Sequence, residues 1–279
     1  MPTNFCDPLM VEIGSLVVPI QKCVTVKPGF FEKSIIDDLE NNGYDQAPVY
    51  DPESRVLWGL VDRNCLKRLL ENGETLELTH CTQTDQDQWL HVGSVISVDT
   101  LLNKMAHIRA VIVVRGGDVE GYGYMEIILG LLTISDLNRH PLRSTLYSLL
   151  SHLESHLANF VSSNFNDPWE WMKNLNEESQ VQVLGFWELS KRKGVDVGPI
   201  AATTLSQLLQ IVSKNKDLLR KLGYKSRENF GGLTGKIPGL RNRVMHPVRP
   251  LVLGQEDVMQ LSVTVKAAID LGSRIEIEK

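Results

Sequence analysis

Residues 23–70 read "CVTVKPGFFEKSIIDDLENNGYDQAPVYDPESRVLWGLVDRNCLKRLL", and residues 95–142 read "VISVDTLLNKMAHIRAVIVVRGGDVEGYGYMEIILGLLTISDLNRHPL". Each stretch has a short β-branched run, an amphipathic helix pattern, an apolar strand, a turn and a second strand that enters a helix. The Gly-Leu pairs that begin at Gly59 and Gly130 are 71 residues apart. One block cannot bury both faces of its small sheet, so we predict two βαββα blocks that pack as a pair.

The rest of the chain divides around this repeat. Residues 71–92 are polar, and we predict that they join the blocks. After about residue 141 the pattern becomes helical, and residues 197–223 predict one long helix with Pro199 near its start and Gly223 just past its end. Apolar residues at steps of three and four predict the first long helix: Leu146, Leu149, Leu150, Leu153, Leu157 and Phe160. The fold class is therefore α+β, with a mixed domain over residues 1–140 and an all-α helical-bundle domain over residues 141–279.

Composition excludes several classes of protein. Hydrophobic residues make up 42% and charged residues 23%, and no apolar run approaches the roughly 18 residues of a membrane span. The start of the chain has no secretion signal, so we expect a soluble, cytoplasmic protein. Its cysteines have no Cys-x-x-Cys spacing, and we interpret them as reduced thiols that hold neither a metal nor a disulfide framework: Cys6, Cys23, Cys65 and Cys81.

The net charge of -5 is unevenly distributed. Residues 1–140 contain 11 basic and 20 acidic residues, whereas residues 141–279 contain 18 basic and 14 acidic residues. Only the second half therefore has the sign of charge that meets a polyanion such as RNA.

A strand that ends in "GLLTISDL", residues 130–137, predicts a candidate binding motif. A threonine hydroxyl at a helix amino terminus, here Thr133, can donate to a phosphate, and backbone N–H groups there supply further donors. Asp136, three residues on, can accept both ribose hydroxyls. The alternative is that Thr133 or Asp136 only caps the helix, as these residue types commonly do.

Together, the paired blocks and this motif resemble a tandem cystathionine-β-synthase (CBS) domain pair over roughly residues 10–140. The "APVYD" of residues 47–51 and the "GLVDRNCL" of residues 59–66 are also similar to that family. The resemblance implies a regulatory module that binds adenosine-type ligands such as AMP, ADP or ATP. Asp62 and Cys65 occupy the two motif positions in the first block and suit neither phosphate nor ribose, so we expect at most one working site.

Arg109 and Arg115 lie near this predicted site in the sequence. Either guanidinium suits a phosphate of the ligand, and the alternative for both is an ordinary solvated arginine.

A second cluster, "LRNRVMHPVRP", occupies residues 240–250. Pro247 cannot continue a helix, so we predict that His246 lies at the end of one, with Asn242 four residues earlier on the same face. Cationic residues at a helix carboxyl end are stabilised by the helix dipole. The alternative to a functional site is therefore a helix end with favourably placed charges.

In an all-helical domain, this Arg241-Asn242-x-x-x-His246 pattern resembles the Arg-x4-6-His motif of the HEPN (higher eukaryote and prokaryote nucleotide-binding) superfamily. The likeness covers roughly residues 141–270, and the lead-in of residues 222–240 is also similar. It implies metal-independent RNA cleavage at a composite site in a homodimer. A histidine can take a proton from a ribose 2′-hydroxyl, and Arg241 can stabilise charge on the scissile phosphate. Asn242 would hold the imidazole or the substrate.

Glu154 lies at the edge of the first helix's apolar stripe with Tyr147, and we expect it to pair with Arg241 across the bundle. The sequence thus favours a nucleotide-sensing CBS pair that controls a HEPN-type ribonuclease. The rival hypothesis is a non-enzymatic nucleotide sensor whose helical domain dimerises or docks a partner.

Overall fold

The computed structural model describes residues 10–51, 53, 56–81, 89–91, 95–108, 110–119, 123–195 and 197–278. The chain forms two compact units. The mixed unit contains Glu12–Ile96 and His107–Arg139. The helical unit contains Ser97–Ala106 and His140–Lys279, with the described residues that precede Glu12.

The described strands form one four-stranded sheet and two strand pairs. Within the four-stranded sheet the order is β2-β8-β7-β5, while β3 pairs with β4 and β1 pairs with β6. Only the β5–β7 pair of the four-stranded sheet is parallel. The strands are β1 (Met10–Glu12), β2 (Val18–Pro19), β3 (Gln46–Asp51), β4 (Val56–Asp62), β5 (Trp89–His91), β6 (Val95–Ser97), β7 (Ala110–Val119) and β8 (Gly123–Thr133).

The predicted repeat is confirmed in the register of two antiparallel hairpins. In the β3–β4 hairpin the register shifts after Val49, which faces Gly59. In the β7–β8 hairpin it shifts after Val113, which faces Gly130. Both shifts are β-bulges, in which one extra residue on one strand bends the pair. Each hairpin therefore carries its irregularity at the equivalent glycine of the repeated sequence.

Two apolar cores stabilise the mixed unit. The first packs the β3–β4 hairpin against α1 (Lys33–Asn41) and α2 (Arg63–Asn72), through residues such as Leu39, Val49 and Leu66. The second lies on the four-stranded sheet and includes Ile112, Val114 and Leu131, with Ile20 and Leu60. The first block thus has its predicted order, with Val26 as an isolated bridge in place of a first strand.

Residues 71–92 join the two blocks, and they also contain regular structure that the sequence pattern did not predict. Helix α2 continues to Asn72, Leu78–His80 form a 3-10 turn, and β5 lies parallel to β7. The sequence pattern missed β5 because three residues are too few to show a strand periodicity, and pairing with a neighbouring strand stabilises them.

The helical unit is a bundle built around α4 and α11, and α3 packs against α11. The predicted stripe of α4 is confirmed, because its six apolar residues are all buried. Among the described residues, no helix has the length and apolar character needed to cross a membrane. The helices are α3 (Val98–Met105), α4 (His140–Ser163), α5 (Pro168–Met172), α6 (Glu177–Arg192), α7 (Leu205–Lys214), α8 (Lys216–Lys221), α9 (Arg227–Thr234), α10 (Ile237–Met245) and α11 (Gln255–Ile277).

The single helix predicted over residues 197–223 is instead three helical segments. A 3-10 turn covers Pro199–Ala202, and Thr204 then caps α7 in a reciprocal capping box with Gln207. Asn215 has an extended backbone and accepts hydrogen bonds from the first N–H groups of α8. These side chains compete with the helical backbone, so they divide a pattern that apolar periodicity alone shows as continuous. The predicted end at Gly223 is confirmed by its left-handed φ of 72°.

Candidate functional sites

The first candidate site is the turn that follows β8 in the mixed unit. Thr133 ends the strand and caps a 3-10 helix over Ile134–Asn138. The Oδ2 atom of Asp136 accepts hydrogen bonds from the Thr133 N–H and from the Thr133 hydroxyl, both at 2.8 Å. The structure therefore brings the two predicted ligand residues together, in the capping arrangement that was the alternative to binding.

An ion pair occupies the other oxygen of this carboxylate. The Oδ1 atom of Asp136 lies 3.0 Å from Nη2 of Arg139, and Asp136 is only 5% exposed. Arg139 also donates to the carbonyls of Leu16 and Val17, at 3.2 and 3.3 Å. A buried carboxylate is stable when it is hydrogen-bonded and paired in this way. The turn after β8 is thus tied to the segment that enters β2.

Two neighbouring features fix this turn. An added Cβ at Gly130 would lie 2.0 Å from the Val18 carbonyl oxygen, so only glycine permits the close approach of β2 and β8. Burial, with a smaller contribution from the Asp136 charge, raises the pKa of the Cys23 thiol to about 11. Cys23 is therefore a protonated thiol at neutral pH, and its sulfur contacts the Pro19 carbonyl at 3.5 Å.

The equivalent position of the first block is also a helix cap. Asp62 accepts a hydrogen bond from the Asn64 N–H at 2.8 Å and caps α2. Of the two arginines predicted to assist a ligand, Arg109 lies outside the described residues. Arg115 pairs with Ile127 in the β7–β8 ladder, and its side chain lies outside what the structure describes.

The second candidate site is a groove in the helical unit, between α4 and the end of α10. It has a volume of about 320 Å³, which includes space open to solvent. Arg241, Glu154 and Tyr147, which the sequence analysis associated with one another, all line it. The remaining lining residues are Leu150, Ser151, Val244 and Met245.

Arg241 is half-buried in this groove. Its guanidinium makes no hydrogen bond with the part of the chain that the structure describes, and the expected ion pair with Glu154 is not formed within 4.0 Å. Asn242 and His246 are exposed, and neither is among the residues that line the groove. His246 lies directly after α10, as predicted, and its N–H donates to the Asn242 carbonyl at 3.2 Å.

Sequence reasoning missed Arg143, which holds this end of α10 in place. Its Nη1 donates to the carbonyls of Arg243 and Val244, at 2.5 and 3.3 Å, and its Nη2 donates to the Arg249 carbonyl at 2.8 Å. Arg143 is 7% exposed, and burial lowers its pKa from the ordinary arginine value. The available signal was its position on α4, three residues before Leu146 on the buried stripe.

The arginines near this helix end therefore have different roles. Arg143 satisfies carbonyls that a helix end leaves without intrahelical partners. Arg243 donates to the Leu251 carbonyl at 3.1 Å and so fixes the loop after the helix. Arg241 keeps its charge available at the groove.

Comparisons with known proteins bear on the N-terminal part of the chain. No family model matches the sequence, and no curated protein matches it either. A CBS-domain pair with bound AMP from Klebsiella pneumoniae is similar over 46% of this chain and 94% of its own, with 18% identity and a TM-score of 0.33. The CBS domain of a bacterial CNNM/CorC family Mg²⁺ transporter in complex with ATP is similar over 46% and 84%, with 16% identity and a TM-score of 0.33.

A CBS domain of a putative transporter from Clostridium difficile 630 is also similar, over 48% of this chain and 94% of its own, with 20% identity and a TM-score of 0.35. These likenesses fall on the part of the chain whose sequence resembles a tandem CBS pair.

Proposed function

We propose that this protein is a nucleotide-regulated ribonuclease, in which an adenine nucleotide bound by a tandem CBS pair controls metal-independent RNA cleavage by a HEPN-like helical unit. The observation that carries the proposal is Arg241. It is half-buried at a groove and has no partner within the described chain, although the nearby Arg143 and Arg243 are both bonded to carbonyls. A half-buried guanidinium without a partner favours an anion, and its planar donors suit a phosphate.

The proposed chemistry uses the groups at the end of α10. His246 takes the proton of a ribose 2′-hydroxyl, whose oxygen attacks the adjacent phosphorus. The bond from phosphorus to the 5′ oxygen breaks, that oxygen takes up a proton, and a 2′,3′-cyclic phosphate is left. Arg241 stabilises the charge that develops on the phosphate, and Asn242 holds the imidazole or the substrate.

A homodimer is part of this proposal. His246 follows the last residue of α10 with a non-helical backbone, and it is not among the residues that line the Arg241 groove. Arg241 and His246 of one chain therefore do not meet at this groove. A two-fold assembly would supply each groove with a histidine from the second copy.

The nucleotide arm of the proposal rests on Thr133 and Asp136. Thr133 and Asp136 are bonded to each other. A ligand would therefore have to replace Asp136 as the acceptor of the hydrogen bond from the Thr133 hydroxyl, and it would lie beside a buried carboxylate. Such a rearrangement links ligand binding to the Arg139 contacts with Leu16 and Val17, since Arg139 shares the same carboxylate. A ligand that favours the rearranged state would shift the equilibrium between subunit arrangements. A cytoplasmic location belongs to the same proposal.

The cleavage proposal is tested with labelled single-stranded RNA in EDTA, in the absence and presence of AMP, ADP or ATP. We expect cyclic-phosphate products from the wild type, and a loss of at least a hundredfold in rate for His246→Ala and for Arg241→Ala. His107→Ala is the control, because His107 is also an exposed histidine and belongs to the mixed unit. Intact RNA under every condition, or equal rates for His246→Ala and the wild type, would show that the proposal is wrong.

Nucleotide binding is tested separately by calorimetric titration of the full chain. Thr133→Val keeps the shape of the side chain and removes its hydroxyl, so we expect about a tenfold loss of affinity, equivalent to roughly 1.4 kcal/mol. Thr203→Val is the matched control, since its hydroxyl bonds to the Ile200 carbonyl in the helical unit. Equal nucleotide affinities of the two variants and the wild type would show that Thr133 is not part of the nucleotide site.

A second candidate function is a non-enzymatic nucleotide sensor whose helical unit dimerises or binds a phosphate-bearing partner. The position of His246 outside the Arg241 groove favours it, because an anion can bind at Arg241 without a general base. Nucleotide binding without RNA cleavage would support this candidate over the first.

A further inference from the structure

Helix α6 exposes apolar side chains that a surface helix ordinarily buries. Of its 16 residues only Val183 is fully buried. Val181, Phe186 and Leu189 are 65%, 56% and 50% exposed. Contiguous exposed apolar surface on a soluble protein commonly marks an interaction site.

The exposed face of α6 is a single stripe centred on Gly185. Val181 and Leu189 lie four residues before and after this glycine, and Glu178 and Arg192 lie seven residues before and after it. Steps of four and seven return to the same side of a helix. All five residues are exposed, whereas Val183 lies on the opposite side and is buried.

Charge along this stripe reverses about its centre. Glu178 lies in the first turn of the helix, and Arg192 lies in the last. If two copies of α6 lie antiparallel and cross at Gly185, each Glu178 faces an Arg192, and each Val181 faces a Leu189. The helix is therefore complementary to itself, which is the requirement for a two-fold interface.

We propose that α6 is a self-association surface, on which α6 of a second copy of this chain packs antiparallel about Gly185. An added Cβ at Gly185 would have no atom within 4 Å in the chain itself, so its own fold does not require glycine there. A glycine at the crossing point allows two helix axes to come close.

The existing contacts of α6 are compatible with this pairing. Arg192 is bound to Glu188 at 3.3 Å in an exposed pair, and such surface pairs contribute little, so Arg192 can change partner. On the other side of the helix, Trp187 donates to the Val197 carbonyl at 2.8 Å, and Lys191 lies 3.4 Å from the centre of the Trp187 ring. These contacts fix α6 to its own chain and leave the Gly185 face free.

The interface is small, because 16 residues make a helix of about 24 Å. We therefore expect reversible association in the micromolar range, measurable by sedimentation equilibrium of the full chain from about 1 to 200 μM. Glu178→Arg and Arg192→Glu each place like charges opposite one another, and we expect each to weaken the association at least tenfold. An equimolar mixture of the two variants restores opposite charges at both contacts and should restore association.

Val181→Asp and Val263→Asp form a matched pair of controls. Val181 is 65% exposed on α6, and Val263 is 63% exposed on α11. We expect only Val181→Asp to abolish the association step, while circular dichroism shows both variants folded. Equal association of Val181→Asp and the wild type, an equal effect of Val263→Asp, or failure of the mixture to restore association would overturn the proposal. The readout is mass, so this proposal stands or fails independently of RNA cleavage and nucleotide binding.

Discussion

The most direct test of the helical unit is the replacement Arg143→Met, which keeps the length of the side chain and removes its charge and donors. Two of the three bonds from Arg143 are short, at 2.5 and 2.8 Å, and the third is 3.3 Å. At about 1.5 kcal/mol for each short bond, the low end for bonds to a charged group, their loss amounts to roughly 3 kcal/mol. Water can reach some of the freed carbonyls, so we expect a net decrease of about 2–3 kcal/mol in the free energy of unfolding.

The assay combines urea denaturation with amide hydrogen exchange over residues 245–251. Three of the five tryptophans, Trp169, Trp171 and Trp187, belong to the helical unit, so its unfolding contributes most of the change in tryptophan fluorescence. Arg220→Met is the control, because Arg220 forms an exposed pair with Asp217 and should change the stability by less than about 0.5 kcal/mol. If Arg143→Met and Arg220→Met have the same stability, and exchange after α10 is unchanged, the proposed role of Arg143 is wrong.

Three further predictions concern local structure. Gly130→Ala should destabilise the mixed unit by about 2 kcal/mol, because the added Cβ would meet a carbonyl oxygen at 2.0 Å. Gly232→Ala in α9 has open space around the added Cβ and should increase the free energy of unfolding by about 0.5–1 kcal/mol. Thermal unfolding measures both changes. The rate of Cys23 alkylation should reach half its maximum near pH 11, and Asp136→Asn should lower that midpoint; an unchanged midpoint in the variant would contradict the effect of the Asp136 charge. Because the thiol of the unfolded chain ionises near its ordinary pKa of 9.0, the free energy of unfolding should fall between about pH 9 and pH 11. Thr204→Ala should cost about 1 kcal/mol by removing the cap of α7, as judged by urea denaturation.

Sequence patterns predicted the elements whose signal is local. The stripe of α4 and the end of α10 before Pro247 follow from helix periodicity and from the chemistry of proline, and the structure confirms both. The repeat was also visible, because both hairpins carry a glycine beside the register shift, Gly59 in the first and Gly130 in the second. Periodicity failed over residues 197–223, where capping side chains interrupt an apolar pattern that continues.

The candidate sites were predictable only in part. Thr133 and Asp136 were found from their spacing in the sequence. Spacing cannot show that the Thr133 hydroxyl already donates a hydrogen bond to the Asp136 carboxylate. Glu154, Tyr147 and Arg241 were associated from helix-wheel geometry, and the structure places all three at one groove without the expected ion pair. The proposal that this groove binds an anion depends on the absence of that ion pair, and the absence follows from a distance and not from residue type.

By itself the sequence determined the local features of this protein: the two equivalent hairpins, the stripe of α4, and the stop of α10 at a histidine. Such features depend on residues within a few positions of one another, where backbone geometry leaves few alternatives. Only the tertiary structure decided how the arginines are used. Arg143 is 100 residues from the Arg243 carbonyl it binds, and folding brings the two together, which leaves Arg241 as the arginine that lines the groove.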